Sequence, residues 1–289
     1  MASGALVRWF AGNRFLNRRL GRFLLPPTLV VPVVNGFEVQ VDAGDLQGPS
    51  FYLLHGGSAA FYHYEEAEKA EIVQALAPGG VFLDIGANIG LFSLFVSRYF
   101  PSVQIHAFEP FCEHADRLQV TIQNAGIKNI SVHQKCVGPR AGQLELHLHS
   151  LNSGGHSLRE DQIADENRKP SVRVEMLALD DWAHAYAVKK IDVIKIDVQG
   201  AEWGVLEGSS QVIRNSSPVI LVELDNRELL HDWPQVLTRL ERVGLSGYQV
   251  RRAGEVSWVP IPILPELARE EGQRGRLQTN YCFSPTLKP

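Results

Sequence analysis

The apolar run VFLDI (81–85) carries an acid, Asp84, and passes directly into Gly86-Ala87-Asn88-Ile89-Gly90. A glycine at 86 permits a tight turn, and one at 90 lets a following helix start close to the strand. Such a corner can bring main chain up against a ligand. The spacing is G-x-x-x-G, not the G-x-G-x-x-G that seats a pyrophosphate on a helix N-terminus. Glu109, in HAFEP, lies about twenty residues beyond Gly90, where an acid in the neighbouring crevice meets the hydroxyls of a ribose. Corner and acid together fit an adenosine-type nucleoside with no pyrophosphate to cradle.

Two later apolar runs also end in acids. Asp197 closes IDVIKID, with Lys195 two residues earlier on the same strand face, and Glu223 closes PVILVE. An alcohol is a poor nucleophile until its proton can leave, so carboxylates here point to work on an acceptor hydroxyl. Asp197 is the expected proton acceptor or orienting group, and Glu223 an acceptor-binding group. The alternative is a buried ion pair of Lys195 with either acid. The glycine-flexed stretch NSGGHSL (152–158) offers Asn152 and Ser153 to a substrate or cofactor and His156 as a second candidate base. A loop of this kind can close over a site and exclude water. His106, His133, His147 and His149 fall in strand-like runs and read as structural. Glu202 is a further substrate contact, although an acid there equally suits the positive end of the next helix. The acids at 197 and 223 suit a hard divalent cation, but no clustered ligand set demands one, and no metal is expected.

The elements that must position these groups alternate. After VFLDI, the spacing predicts a helix over 91–100, a strand over 103–108, a helix over 112–125 and a third strand, ISVHQKCV, over 130–137. QLELHLHS (143–150) alternates with period two and has SVRVEML (171–177) as a pairing partner. Buried strands follow at 191–198 and 218–224 around a helix near 201–215. A helix near 233–243 and strands at 248–252 and 279–284 complete the pattern. Apolar strands alternating with helices make a doubly wound α/β sheet, whose ligands sit at the carboxyl ends of the strands. Ahead of it, residues 28–54 hold short β-like runs broken by Asn35-Gly36, a small β flap, and residues 61–77 are helix-like. The expected division is an N-terminal region, 1–60, and a main domain, 61–289.

The blocks FLDIGANIG, HAFEP, NSGGHSL, LALDDWA, IDVIKIDVQGAEWGVLEG and PVILVEL occur in one order over roughly residues 60–284. Together they resemble the FkbM family of S-adenosylmethionine-dependent methyltransferases. The resemblance implies a class I, Rossmann-like, mostly parallel seven-stranded sheet whose last strand inserts antiparallel. It also implies S-adenosyl-L-methionine as cofactor and methyl transfer to a hydroxyl of a sugar, glycan or polyketide-like product. Gly86, Asn88 and Gly90 would line the methionine and ribose side, with Asp84 and Ala87 in the same corner. Glu109 and Pro110 would hold the ribose, and Cys136 and Val137 would flank the adenine. Gln199 departs from the glutamate that many members carry there, which weakens any role for a charge at that position.

The chain's net charge of −4 argues against nucleic acid as partner. Three widely spaced cysteines show no metal-ligand spacing, and a cytoplasmic setting is expected. No acid precedes Glu38, while Arg8, Arg14, Arg18, Arg19 and Arg22 oppose an apolar face of Leu6, Trp9, Phe10, Leu16, Leu20 and Leu24. A helix over 5–25 either touches a membrane surface or packs on its own domain. The competing functional readings are an NAD(P)-dependent oxidoreductase, whose glycine signature is missing, and a cofactor-binding scaffold without turnover.

Overall fold

The computed structural model describes residues 26–33 and 37–286. The basic segment 5–25 and the Asn35-Gly36 turn lie outside the described residues. The elements begin with the hairpin β1 (Thr28–Pro32) and β2 (Glu38–Asp42), then α1 (Pro49–His63) and α2 (Glu66–Ala75). Next come β3 (Val81–Ile85), α3 (Leu91–Tyr99), β4 (Gln104–Phe108), α4 (Cys112–Ala125), β5 (Ile130–His133), β6 (Cys136–Val137), β7 (Gly142–His149) and β8 (Arg168–Leu177). The remainder is α5 (Leu179–Ala185), β9 (Val193–Ile196), α6 (Glu202–Glu207), α7 (Ser210–Ser216), β10 (Val219–Asp225), α8 (Asn226–His231), α9 (Trp233–Val243), β11 (Tyr248–Arg252), β12 (Val259–Pro260), α10 (Leu264–Gln273) and β13 (Gln278–Pro285).

The main sheet runs β12-β11-β13-β10-β9-β3-β4-β5. β10, β9, β3, β4 and β5 are mutually parallel, and β13 inserts antiparallel between β10 and β11. This is the class I methyltransferase arrangement, with one addition: the two-residue β12 at the edge makes eight strands where seven were expected. The central strands are buried on both faces. Leu83, Ile85, Ile194, Ile196 and Val222 enter one apolar core, while Phe82, Val193 and Leu221 enter the other. At about 1.5–3 kcal/mol for each fully buried aliphatic side chain, these strands dominate the sheet's stability. α9 shows how local sequence sets an element. The Asp232 side chain accepts the Gln235 N–H at its start, Val236, Leu240 and Val243 form its buried stripe, and Gly244 ends it in the left-handed conformation.

Three expectations are corrected. ISVHQKCV is not one strand: β5 joins the main sheet, whereas β6 pairs with β8 in a separate three-stranded sheet, β6-β8-β7. Residues 51–54, expected in a β flap, belong to α1, because Asp45 accepts N–H groups from Gly48 and Ser50 and Pro49 sits in the first turn. The helix-like run 61–77 breaks at Tyr64-Glu65 into the end of α1 and the start of α2. The hairpin buries Leu29, Val31, Val39 and Val41 in the same core as Phe82 and Leu94, and the Gln40 N–H donates to Thr121 on α4. Residue 60 therefore falls inside an element of a continuous core, not between two separately packed units.

Candidate active site

The carboxyl ends of β3, β4, β9 and β10 open into one cavity of about 240 Å³. Its sharpest feature is Gly86, at φ +82°, where a Cβ would lie 1.9 Å from the Asp197 carbonyl oxygen. Only glycine lets the β3 corner approach the end of β9 this closely. Asn88 follows at φ +52°. Its N–H donates to Glu109 Oε2 at 2.8 Å, while the Phe111 N–H donates to Oε1 at 2.9 Å. Two of roughly four acceptor positions on the Glu109 carboxylate are thus taken, and two are left for ligand hydroxyls. The Asn88 side chain is used within the protein: Oδ1 accepts the Ile89 N–H, and Nδ2 donates to the Ser153 carbonyl at 2.9 Å.

That last bond ties the 152–158 loop across the cavity. Asp45 holds the loop from the other side, accepting the Ser153 N–H at 3.2 Å and the Ser153 hydroxyl at 2.7 Å. The Ser157 hydroxyl donates to the Gln199 carbonyl at 2.5 Å. His156 lines the cavity, stacks on His114 with ring centres 5.1 Å apart, and accepts the His149 N–H on Nδ1. Burial, reinforced by His114, pushes His156 down to about 3, so it is neutral near pH 7 and weakly basic.

The acids at the ends of β9 and β10 form a network. Lys195 Nζ donates to Asp197 Oδ2 at 3.0 Å and stands 4.4 Å from the centre of the Phe92 ring. Gln199 Nε2 donates to Asp197 Oδ1 and to Glu223 Oε2, both at 2.9 Å. Burial pulls Asp197 upward, but Lys195 and Gln199 outweigh it and hold the carboxyl below its ordinary range. Burial would strip the proton from Lys195; Asp197, Glu65 and Asp84 outweigh it and keep the ammonium charged. Glu223 goes the other way, raised to about 8 by burial and then by the charge on Asp197. Glu65, at the break between α1 and α2, is raised to about 7 by burial, with Lys195 opposing and Asp197 adding. The cavity thus holds one fixed ion pair and two carboxyls that exchange protons near neutrality.

Of the residues expected from sequence, Gly86, Ala87, Asn88, Glu109, Pro110, Cys136, Val137, Asn152, Ser153, His156, Lys195, Asp197 and Glu223 all line this cavity. Three do not, and are corrected. Asp84 lies beneath the corner, beside Lys195 in register, its Oδ2 taking the Ser93 N–H and hydroxyl. Gly90, at φ +80°, serves packing: a Cβ there would come 2.3 Å from Leu118. Glu202 turns back on its own loop to accept the Gly200 N–H. The Ser153 hydroxyl is occupied by Asp45 and the Asn152 side chain by the Gly154 N–H, so their expected substrate contacts compete with internal bonds. Sequence reasoning missed Tyr52, Tyr64 and Glu65. The one available signal was Tyr64-Glu65 inside the helix-like run 61–77, an aromatic and an acid side by side.

No three His, Cys, Asp or Glu side chains among the described residues stand together as metal ligands. The cavity's chemistry does fit S-adenosylmethionine. Glu109 has acceptor positions left for a ribose, Ile85, Phe108 and Val137 provide an apolar slot for a base, and acids line the far side.

Sheet and site define a class I methyltransferase. The family model described as "Methyltransferase FkbM domain" matches residues 84–245, and the chain belongs to that family. Methyltransferase sdnD of Sordaria araneosa is 28% identical, over 73% of this chain and 90% of its own. The 2-O-methyltransferase NoeI of Sinorhizobium fredii is 27% identical, over 53% of this chain and 66% of its own. The 31-O-demethyl-FK506 methyltransferase FkbM of Streptomyces tacrolimicus is 26% identical, over 64% and 74%. The dehydrogenase reading has no support from these relatives.

Proposed function

We propose that this methyltransferase is S-adenosylmethionine-dependent and methylates an alcohol oxygen on a small natural-product or glycan acceptor. The observation that carries the reading is the shared cavity. The Gly86–Asn88 corner and Glu109, suited to the nucleoside, face the same space as Asp197, Gln199 and Glu223, suited to a hydroxyl. Relatives named for 2-O- and 31-O-methyl transfer support oxygen as the acceptor atom.

When bound, the donor supplies a methyl carbon already electrophilic on its sulfonium. The chain's task is then alignment, worth roughly 7–11 kcal/mol in the best intramolecular reactions, and handling of one proton. Lys195 keeps Asp197 ionised, and Asp197 with Gln199 fixes the Glu223 carboxyl at the cavity wall. Loop 152–158, tied at Asn88, Asp45 and Gln199, limits water entry. With both oxygens occupied and its affinity for protons lowered, Asp197 serves better to orient than to accept a proton.

Calorimetry should show binding of S-adenosylhomocysteine and none of NAD. A labelled methyl donor incubated with extract fractions should place label on an acid-stable ether of a small molecule. Label found instead on nitrogen or on nucleic acid would reject the proposal. A chain that binds the donor product but labels nothing in any extract would favour the scaffold reading.

A further inference from the structure

Where α1 meets α2, a second hollow of about 410 Å³ is lined by Tyr52, Ala60, His63, Tyr64 and Glu65. Tyr52, Tyr64 and Glu65 also line the main cavity, so the two spaces share a wall. The Tyr52 and Tyr64 rings stand 5.6 Å apart at 57°, and Tyr52 is 51% exposed although it belongs to a helix with a buried face. Glu65 sits at φ 47°, ψ 54°, a left-handed conformation that is strained for glutamate, and makes no cap bond to α2. Its carboxyl accepts the Tyr64 hydroxyl hydrogen bond at the cavity wall, and backbone strain of this kind gathers at ligand sites.

Charge narrows the ligand. Glu65 is faced by Tyr64 beside it at the junction, by Glu68 and Lys69 from α2, by Lys195 and Asp197 at the end of β9, and by Glu223 from β10. The Lys195 ammonium is engaged by Asp197, and Lys69 is buried, donating to the Phe61 carbonyl among four aromatic rings. His63 pairs with Glu66. Among the described residues, an anionic acceptor would therefore meet carboxyls without a free cation. A neutral ring with several hydroxyls meets acceptors for its O–H groups and the electron-rich faces of tyrosines for its C–H faces.

We propose that Tyr52, Tyr64 and Glu65 form the acceptor subsite, that it takes an uncharged polyhydroxylated ring, and that Glu65 receives the proton of the hydroxyl being methylated. This deepens the function proposed above and rests on it. The hydroxyl oxygen forms the new bond to the methyl carbon, and the methyl–sulfur bond breaks with its electron pair left on sulfur. The hydroxyl proton passes to the Glu65 carboxylate and from there to solvent. Burial raises both Glu65 and Glu223 toward neutrality, so either carboxyl can take up or release a proton near about pH 7–8. Glu65 takes the base role by position, since it lines the acceptor hollow, whereas the Glu223 carboxyl is engaged by Gln199.

The test uses the full chain saturated with S-adenosylhomocysteine, with methyl β-D-glucopyranoside and glucose 6-phosphate as probes in saturation-transfer NMR. The neutral glycoside should receive saturation, and the phosphate should bind about tenfold more weakly. Tyr52→Ala, or Tyr52→Leu should the first not fold, should weaken glycoside binding by about fivefold with affinity for S-adenosylhomocysteine unchanged. In protein carrying ¹³C-labelled glutamate carboxyls, a resonance titrating near pH 7 should vanish in Glu65→Gln and shift when glycoside is added. The proposal is overturned if a chain that binds S-adenosylhomocysteine transfers no saturation to the glycoside. Equal binding of the phosphate, indifference to Tyr52, or a Glu65 resonance unmoved by glycoside would each overturn it too. Failure to bind S-adenosylhomocysteine, with the glycoside still bound at Tyr52, would instead remove the donor assignment and leave the subsite.

Discussion

Glu109 receives two main-chain N–H groups, so its carboxylate is fixed before any ligand arrives. Hydrogen bonds to a charged group contribute about 1.5–3 kcal/mol, so Glu109→Gln should weaken S-adenosylhomocysteine binding by roughly tenfold to a hundredfold in calorimetry. The pH dependence follows from Glu65 and Glu223. The base form of Glu65 accumulates above about 7, so kcat/KM should rise across that region, with Glu223, raised in the same direction, titrating in the same window. Glu65→Gln should flatten the rising limb. Glu65→Gly should relieve the left-handed backbone and raise the melting temperature while lowering turnover, a combination that simple loss of structure cannot give. Glu109 and Asp197 were legible in the sequence because each follows directly on an apolar strand, and Glu223 because it interrupts the apolar run of β10 near its carboxyl end. Glu65 was not, because its backbone angle is set by tertiary packing and no glycine or proline marks the break.

Helices and strands were legible wherever period and stop signals agreed. α9 and β11 fall where Pro234, Gly244 and the alternation of YQVRR put them. The run 130–137 misled because only the polar pair Gln134-Lys135, with no glycine or proline, divides β5 from β6, and the two take separate partners distant in sequence, β4 and β8. Two element-scale junctions can be tested by thermal denaturation. Gly86→Ala would drive a Cβ into the Asp197 carbonyl at a left-handed backbone position, so a loss of more than about 2 kcal/mol is expected, together with loss of donor binding. Asp45 both starts α1 and holds Ser153. Asp45→Ala should therefore cost about 1–3 kcal/mol and speed proteolytic cleavage within 150–158, while a surface carboxylate replaced in the same way would do neither.

Across the molecule, the raised carboxyls shape stability. Glu65, Glu202 and Glu223 sit at about 7, 7 and 8, so between the ordinary carboxylate range and pH 8 the folded chain binds more protons than the unfolded one. Their contribution is complete below about 4.5 and is lost as pH rises through 7–8. Asp197 and Glu271, whose carboxyls are held low against the pull of burial, lose theirs as pH falls below the usual carboxylate range. The melting temperature should accordingly be higher at pH 6 than at pH 9. Glu202→Gln, outside the cavity and keeping an acceptor for the Gly200 N–H, should flatten part of that slope without altering donor affinity. The division of strands between two sheets has one more consequence. Cys136 and Val137 belong to β6, on the small sheet, whereas Phe108 and Ile85 belong to the large one, and all four border one slot. A purine seated there would staple two otherwise separately hydrogen-bonded layers. Deuterium uptake along Val172–Met176 of β8 should therefore slow when the nucleoside is added, although only β6 lies between that ladder and the ligand.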